Sequence, residues 1–157
     1  SSSGIVLASH DDTTPAHVDE AVAAGCTISE FPTTIEAARA ARQAGLATIG
    51  GAPNVVRGGS HSGGVSMRDL AQEGLLDALA SDYVPASLLQ AAIALTRTAG
   101  LSIPEALALV TSAPARLARL DDRGRLAEGL RADLMLFTLA DDTPVVREVF
   151  LAGRRVF

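Results

Sequence analysis

Four short apolar runs, each separated from the next by a helical pattern, constrain this chain more than any other feature. Ile5 to Ser9, Cys26 to Ser29, Leu46 to Ile49 and Leu75 to Ala80 lack the strict alternation of a half-exposed strand. They read as strands covered on both faces, the usual appearance of a parallel sheet. Thr14-Pro15 opens a helix with a capping hydroxyl and a first-turn proline, and Gly25 ends it. Thr33-x-x-Glu36 predicts a capping box for an Ala-rich helix stopped by Gly45. Met67 to Glu73 predicts a short helix ended by Gly74, and Pro85 to Ala99 a long apolar one ended by Gly100. Strand and helix in repeated alternation imply right-handed crossovers, hence an α/β fold around a parallel sheet.

The pattern then changes. Ser102-x-x-Glu105 predicts another capping box, and Ser112-Ala113-Pro114 a last helical turn through Leu120. From Gly124 onward, strand-like runs such as Asp133 to Phe137 and Val145 to Leu151 alternate with turns. The expected division is therefore 1–120 and 121–157.

In parallel α/β folds the chemistry sits at the C-terminal ends of the strands. His10 comes directly after the first apolar run and Asp82 after the fourth, so a parallel sheet would bring both to one rim. An imidazole nitrogen and a carboxylate oxygen suit a divalent transition ion such as zinc or manganese. Each also has a plainer reading: His10 bonded to nearby backbone, and Asp82 capping the helix near Pro85. Asp11 and Asp12 either cap the first helix or hold the His10 ring. Glu30 ends the second run as a ligand, a charge partner or a solvated residue. His17 lies in a first helical turn, where positive charge is unfavourable, and reads as a neutral surface residue. Tyr83, beside Asp82, either lines the pocket or packs.

Gly50 to Ser66 reads as one long glycine-rich loop, and loops of that length are commonly functional. Within it Asn54, Arg57, Gly58, Gly59, Ser60 and His61 form a candidate anion cradle. Arg57 supplies a planar fork for phosphate oxygens, and backbone amides freed by the glycines add donors. The plainer reading is a mobile surface loop. The nucleotide-binding pattern of Gly-x-x-x-x-Gly-Lys is absent.

Composition excludes several classes. The 13 basic residues among 157 are all arginine, so no lysine nucleophile or Schiff base comes from this segment. A net charge of −5 and 3% aromatic content argue against a nucleic-acid surface. Cys26 is the single cysteine, so no internal disulfide forms; it reads as a small buried strand residue. The apolar runs are too short to span a membrane, and no secretory pattern opens the chain. A cytoplasmic setting is the resulting expectation.

The run Ser112-Ala113-Pro114-Ala115-Arg116-Leu117, the stretch Gly124 to Phe137 and the tail Val149 to Phe157 resemble the closing signature of the amidohydrolase superfamily. More narrowly, Ala8-Ser9-His10-Asp11-Asp12, Ile28-Ser29-Glu30-Phe31-Pro32, the Gly51 to Gly63 segment and Ser81-Asp82-Tyr83-Val84-Pro85 resemble the diphosphatases of bacterial phosphonate breakdown. The resemblance implies units five to eight of a TIM-type (β/α)8 barrel, plus the C-terminal strands of a small β-sandwich. It implies a divalent metal, zinc or manganese, held by His10 and Asp82, with Glu30 where many relatives carry a second histidine. The implied activity is hydrolysis of α-D-ribose 1-methylphosphonate 5-triphosphate to the 5-phosphate and pyrophosphate, with Asp82 catalytic. The first-strand His-x-His pair of the superfamily is absent from this sequence, so activity would require an N-terminal half. A half-barrel leaves two open sheet edges, which implies a homo-oligomer or pairing with that half. The rival expectations are a related enzyme cleaving a cyclic amide C–N bond and an inactive assembly piece.

Overall fold

The computed structural model describes residues 5–59 and 63–157. Strand β1 (Ala8–His10) leads to helix α1 (Pro15–Ala23), and β2 (Ile28–Glu30) to α2 (Ile35–Gln43). Strand β3 (Ala47–Gly51) leads to α3 (Ala52–Arg57) and α4 (Met67–Gln72), and then comes β4 (Ala78–Ala80). Helices α5 (Ser87–Thr98), α6 (Ile103–Ala108) and α7 (Ser112–Leu117) complete the helical part. The four strands form one sheet in the order β1-β2-β3-β4, with every neighbouring pair parallel. The fold is therefore α/β with a parallel sheet, as the alternation predicts.

Local chemistry accounts for most element ends. Thr14, in extended conformation, accepts from the His17 amide, and Pro15 begins α1. Gly25 takes a φ of +84°, which ends the helix at no steric cost. Ser102 and Glu105 form the expected reciprocal capping box at α6. The box expected from Thr33 does not form: Thr34 caps α2 by accepting from the Ala37 amide. Thr33 instead bonds to Asp12 and Thr13, tying the two loops above β1 and β2 together.

The larger correction concerns the glycine-rich stretch, because residues 52–57 form helix α3. Pro53 stands in its first turn and Gly58, at φ +80°, ends it, so proline and glycine bracket a helix. Gly50 also has a packing reason. A Cβ there would overlap the Met67 thioether and come within 2.8 Å of Leu76 Cδ1, so its absence lets α4 lie against β3. Cys26 precedes β2 instead of lying within it, half-buried against the cluster of Val18, Ala21, Ala37, Ala41 and Leu46.

Alanine lets helices approach closely. Ala37, Ala38 and Ala41 of α2 are fully buried, as are Ala91 and Ala92 of α5. Leu70 and Leu95 fill the larger core between α4 and α5. Outside it, Arg39 forks onto the Glu73 carboxylate and Arg42 reaches Asp77 and the Gly74 carbonyl, tying α2 to the approach of β4. Exposed pairs of this kind contribute only about 0–1 kcal/mol each, so they steer packing more than they stabilise it.

A second, antiparallel sheet completes the chain: β5 (Leu134–Ala140), β6 (Thr143–Leu151) and β7 (Arg154–Arg155). Asp141 and Asp142 both take positive φ in the first hairpin turn, and Ala152 and Gly153 do so in the second. Two left-handed residues in a two-residue turn match the twist of the flanking strands. Arg147 is the extra residue of a bulge in β6, where Leu136 pairs with Glu148 and Phe137 with Val146. Leu134, Met135, Leu136 and Leu139 of β5 remain exposed.

Candidate functional site

Strand register decides which side chains share a face. Ser9, Ser29 and Thr48 are partners across β1, β2 and β3, and His10, Glu30 and Ile49 are the next row. Because side chains alternate, the serine row and the His10 row face opposite sides. Thr48 shares its face with Gly50, the side against which Met67 and Leu76 pack. His10 and Glu30 therefore face away from that helical layer, adjacent on neighbouring strands at the C-terminal rim.

Asp12 braces this rim from beneath. Its buried carboxylate accepts hydrogen bonds of 2.5 Å from both Ser9 and Ser29, linking β1 to β2. Asp11 instead lies beside the exposed His10 ring, its carboxylate 3.0 Å from Nδ1. Phe31 presents an edge-on contact to the same ring, with centroids 5.3 Å apart. Asp11 thus stands beside Nδ1, and Nε2 is the other ring nitrogen. Of the two roles open to Asp11 and Asp12, neither caps α1, since Thr14 does that. His17 is an exposed surface residue whose Nδ1 accepts from the Thr13 amide.

A cavity of about 210 Å³ opens at this end of the sheet, lined by Asp11, Phe31, Asn54, Arg57, Asp82 and Tyr83 among others. Three of its residues, Asp11, Phe31 and Asp82, hold left-handed backbone with φ of 59°, 55° and 49°. Non-glycine residues in that region cost about 1–2 kcal/mol each, and such strain gathers at functional sites. Asp82 does not cap α5, whose N-terminus has no side-chain cap among the described residues. A larger opening of about 520 Å³ lies beside α2 and α4, but among the described residues its lining carries neither histidine nor arginine.

Arg57 stands in the last turn of α3, where its charge suits the helix C-terminus. Its guanidinium carbon lies 5.6 Å from the Tyr83 ring centre. The amides of Gly58 and Gly59 donate to the carbonyls of Val55 and Asn54, so the anion cradle expected of these two amides is spent on the helix end. The Asn54 side chain bonds the Met67 amide and the Val65 carbonyl, closing the segment after α3 against α4. Ser60 and His61 lie outside the described residues.

His10, at the end of β1, and Asp82, two residues beyond β4, thus lie at one rim but at opposite borders of the sheet. Among the described residues no three His, Cys, Asp or Glu side chains gather around a common point. The rim offers the donor chemistry of a zinc or manganese site, an imidazole with carboxylates, without a complete ligand set. The sequence pattern leaves three residues of this rim without a decided role: Asp12, Phe31 and Tyr83. Aspartate beside serines of two strands is a legible signal for the first. Nothing local marks Phe31 or Tyr83.

The chain belongs to the amidohydrolase family, whose model matches residues 6–157. Over 155 residues, 98% of this chain, it is 52% identical to the alpha-D-ribose 1-methylphosphonate 5-triphosphate diphosphatase of Escherichia coli (strain K12). It spans 41% of that protein's length. It is also 32% identical to a dihydroorotase of Anaplasma phagocytophilum (strain HZ), over 48% of this chain and 21% of that protein. Among solved structures, an uncharacterized protein superposes with a TM-score of 0.72 at 18% identity, covering 98% of this chain and 45% of the other. An adenine deaminase superposes with a TM-score of 0.60 at 19% identity, covering 96% of this chain and 50% of the other. These two likenesses concern the fold alone. Among the described residues no helix is long and apolar enough to cross a membrane.

Proposed function

We propose that the chain forms units five to eight of an amidohydrolase (β/α)8 barrel, with residues 121–157 supplying strands of a small β-sandwich. The complete protein hydrolyses the phosphoanhydride of α-D-ribose 1-methylphosphonate 5-triphosphate, giving the 5-phosphate and pyrophosphate. The observation that carries this reading is the 52% identity to a diphosphatase along nearly the whole chain. The cavity that places Arg57 and Asp82 together supports it. The dihydroorotase likeness, which would favour a cyclic amide, is weaker and covers less than half of the chain. The setting is cytoplasmic, the partner a phosphorylated sugar, and neither nucleic acid nor membrane is engaged.

In this reading a divalent ion, zinc or manganese, when bound, supplies Lewis acidity at the scissile phosphate. His10, its ring flanked by Asp11 and Phe31, would hold that ion, with Glu30 alongside as a further carboxylate. Asp82 takes a proton from the attacking water as the phosphorus–oxygen bond breaks towards the leaving pyrophosphate. Arg57 offsets the charge that accumulates on the phosphate oxygens, joined by Ser60 and His61. The remaining ligands come from an upstream half, so residues 1–157 alone are inactive. The two open sheet edges pair with that half or with another copy.

The test is pyrophosphate release by the full-length protein. Arg57→Ala should raise KM for the triphosphate about tenfold or more while metal content stays unchanged, the effect of losing a charged hydrogen bond. An unchanged KM overturns the role of Arg57, and absence of pyrophosphate among the products overturns the reaction.

A further inference from the structure

Arg57 differs from most arginines of this chain in how it is held. Arg39, Arg42, Arg68, Arg97, Arg123, Arg131 and Arg155 each lie within 4 Å of a carboxylate. Arg57 has no carboxylate partner among the described residues. Its guanidinium lies over the face of Tyr83 instead. Both side chains line the cavity that contains Asp82, yet they come from different elements: Arg57 ends α3, and Tyr83 stands just beyond β4.

A carboxylate would neutralise the guanidinium and occupy its N–H fork. An aromatic face attracts the cation through the ring quadrupole but accepts none of its in-plane donors. The planar edge therefore stays available for a bidentate phosphate contact. We propose that Tyr83 is a positioning residue for polyanion binding, holding the Arg57 guanidinium over the cavity with its charge and fork unspent. This rests on the reading that Arg57 binds substrate phosphate, and adds the residue that sets its place. Tyr83 is 61% exposed, so it contributes little to the core and its replacement leaves the fold intact. The ring performs the task, and the phenolic hydroxyl has no hydrogen-bond partner among the described residues.

Inorganic tripolyphosphate, tested as a competitive inhibitor of the full-length protein, reads the effect without turnover of the natural substrate. Tyr83→Leu should weaken its binding about two- to fivefold, the range of an exposed cation–π contact. Tyr83→Phe should restore wild-type binding. In an Arg57→Ala background, Tyr83→Leu should change nothing further. The proposal is overturned if Tyr83→Leu binds tripolyphosphate as the wild type does. It is equally overturned if Tyr83→Phe behaves like Tyr83→Leu, or if the loss persists without Arg57. If Arg57→Ala alone leaves binding untouched, the phosphate-binding reading itself falls, an outcome distinct from a failure confined to Tyr83.

Discussion

Replacing Asp12 with alanine tests how the rim is held together. The carboxylate accepts from two hydroxyls at 2.5 Å, and the residues differ in what they keep afterwards. Ser9 is half-buried and retains a longer contact to the Ile28 carbonyl at 3.4 Å. Ser29 is fully buried, and its hydroxyl bonds to Asp12 alone among the described residues. A hydrogen bond to a charged group contributes about 1.5–3 kcal/mol, and an orphaned buried hydroxyl costs about 1–3 kcal/mol. Removing a buried carboxylate also relieves its own desolvation, so the two losses do not simply add. The expected net cost of Asp12→Ala is about 3 kcal/mol. At a slope of about 2 kcal/mol per molar urea, that moves the unfolding midpoint down by about 1.5 M. Removing the donors as well should recover most of it, because deleting both sides of a buried hydrogen bond is nearly neutral. Equilibrium urea unfolding of Asp12→Ala and of the Ser9→Ala, Ser29→Ala, Asp12→Ala triple variant measures both. A single variant as stable as the wild type, or a triple variant no better than the single, refutes the bracing role.

Thr48→Val should stabilise the protein by about 1 kcal/mol, since the buried Thr48 hydroxyl has no partner among the described residues and valine keeps its shape; a lower thermal midpoint in the variant would contradict this. The Glu105 carboxyl is held below its ordinary pKa, first by the Ser102 hydroxyl and then by the Ser102 amide. A depressed carboxyl stabilises the fold above its unfolded value and loses that contribution as pH falls through the folded one. Glu105→Gln should therefore unfold with a weaker acid dependence below the ordinary carboxylate range, and identical acid profiles would remove Glu105 from that account.

The parallel sheet is legible in the sequence because its punctuation is local. Gly25, Gly45 and Gly74 end helices, and largely apolar runs without alternation leave little choice but a strand covered on both sides. The expected strand boundaries fall too early, because hydrogen-bonded pairing starts later than hydrophobicity does: Ile5 to Leu7 precede the paired part of β1. Helix α3 is hidden in the sequence because six residues are too few to show periodicity, and the glycines at both ends suggest a loop. His10 and Asp82 are legible as rim residues, since parallel strands deliver the residues at their C-terminal ends to one side. Tyr83 is not, because its contact with Arg57 depends on where two separate elements end. The choice of Thr34 over Thr33 as the α2 cap has the same origin: Thr33 is claimed by the neighbouring loop at Asp12 and Thr13.

His10 ends the first strand of a four-strand ribbon and Asp82 lies two residues beyond the last, each of those strands with an outer edge unpaired among the described residues. Their separation is consequently a property of how strongly that ribbon curls. Backbone groups that bond along either border change the curl, and with it the span between imidazole and carboxylate. A segment pairing along either border would therefore alter the spacing of the two side chains without touching either.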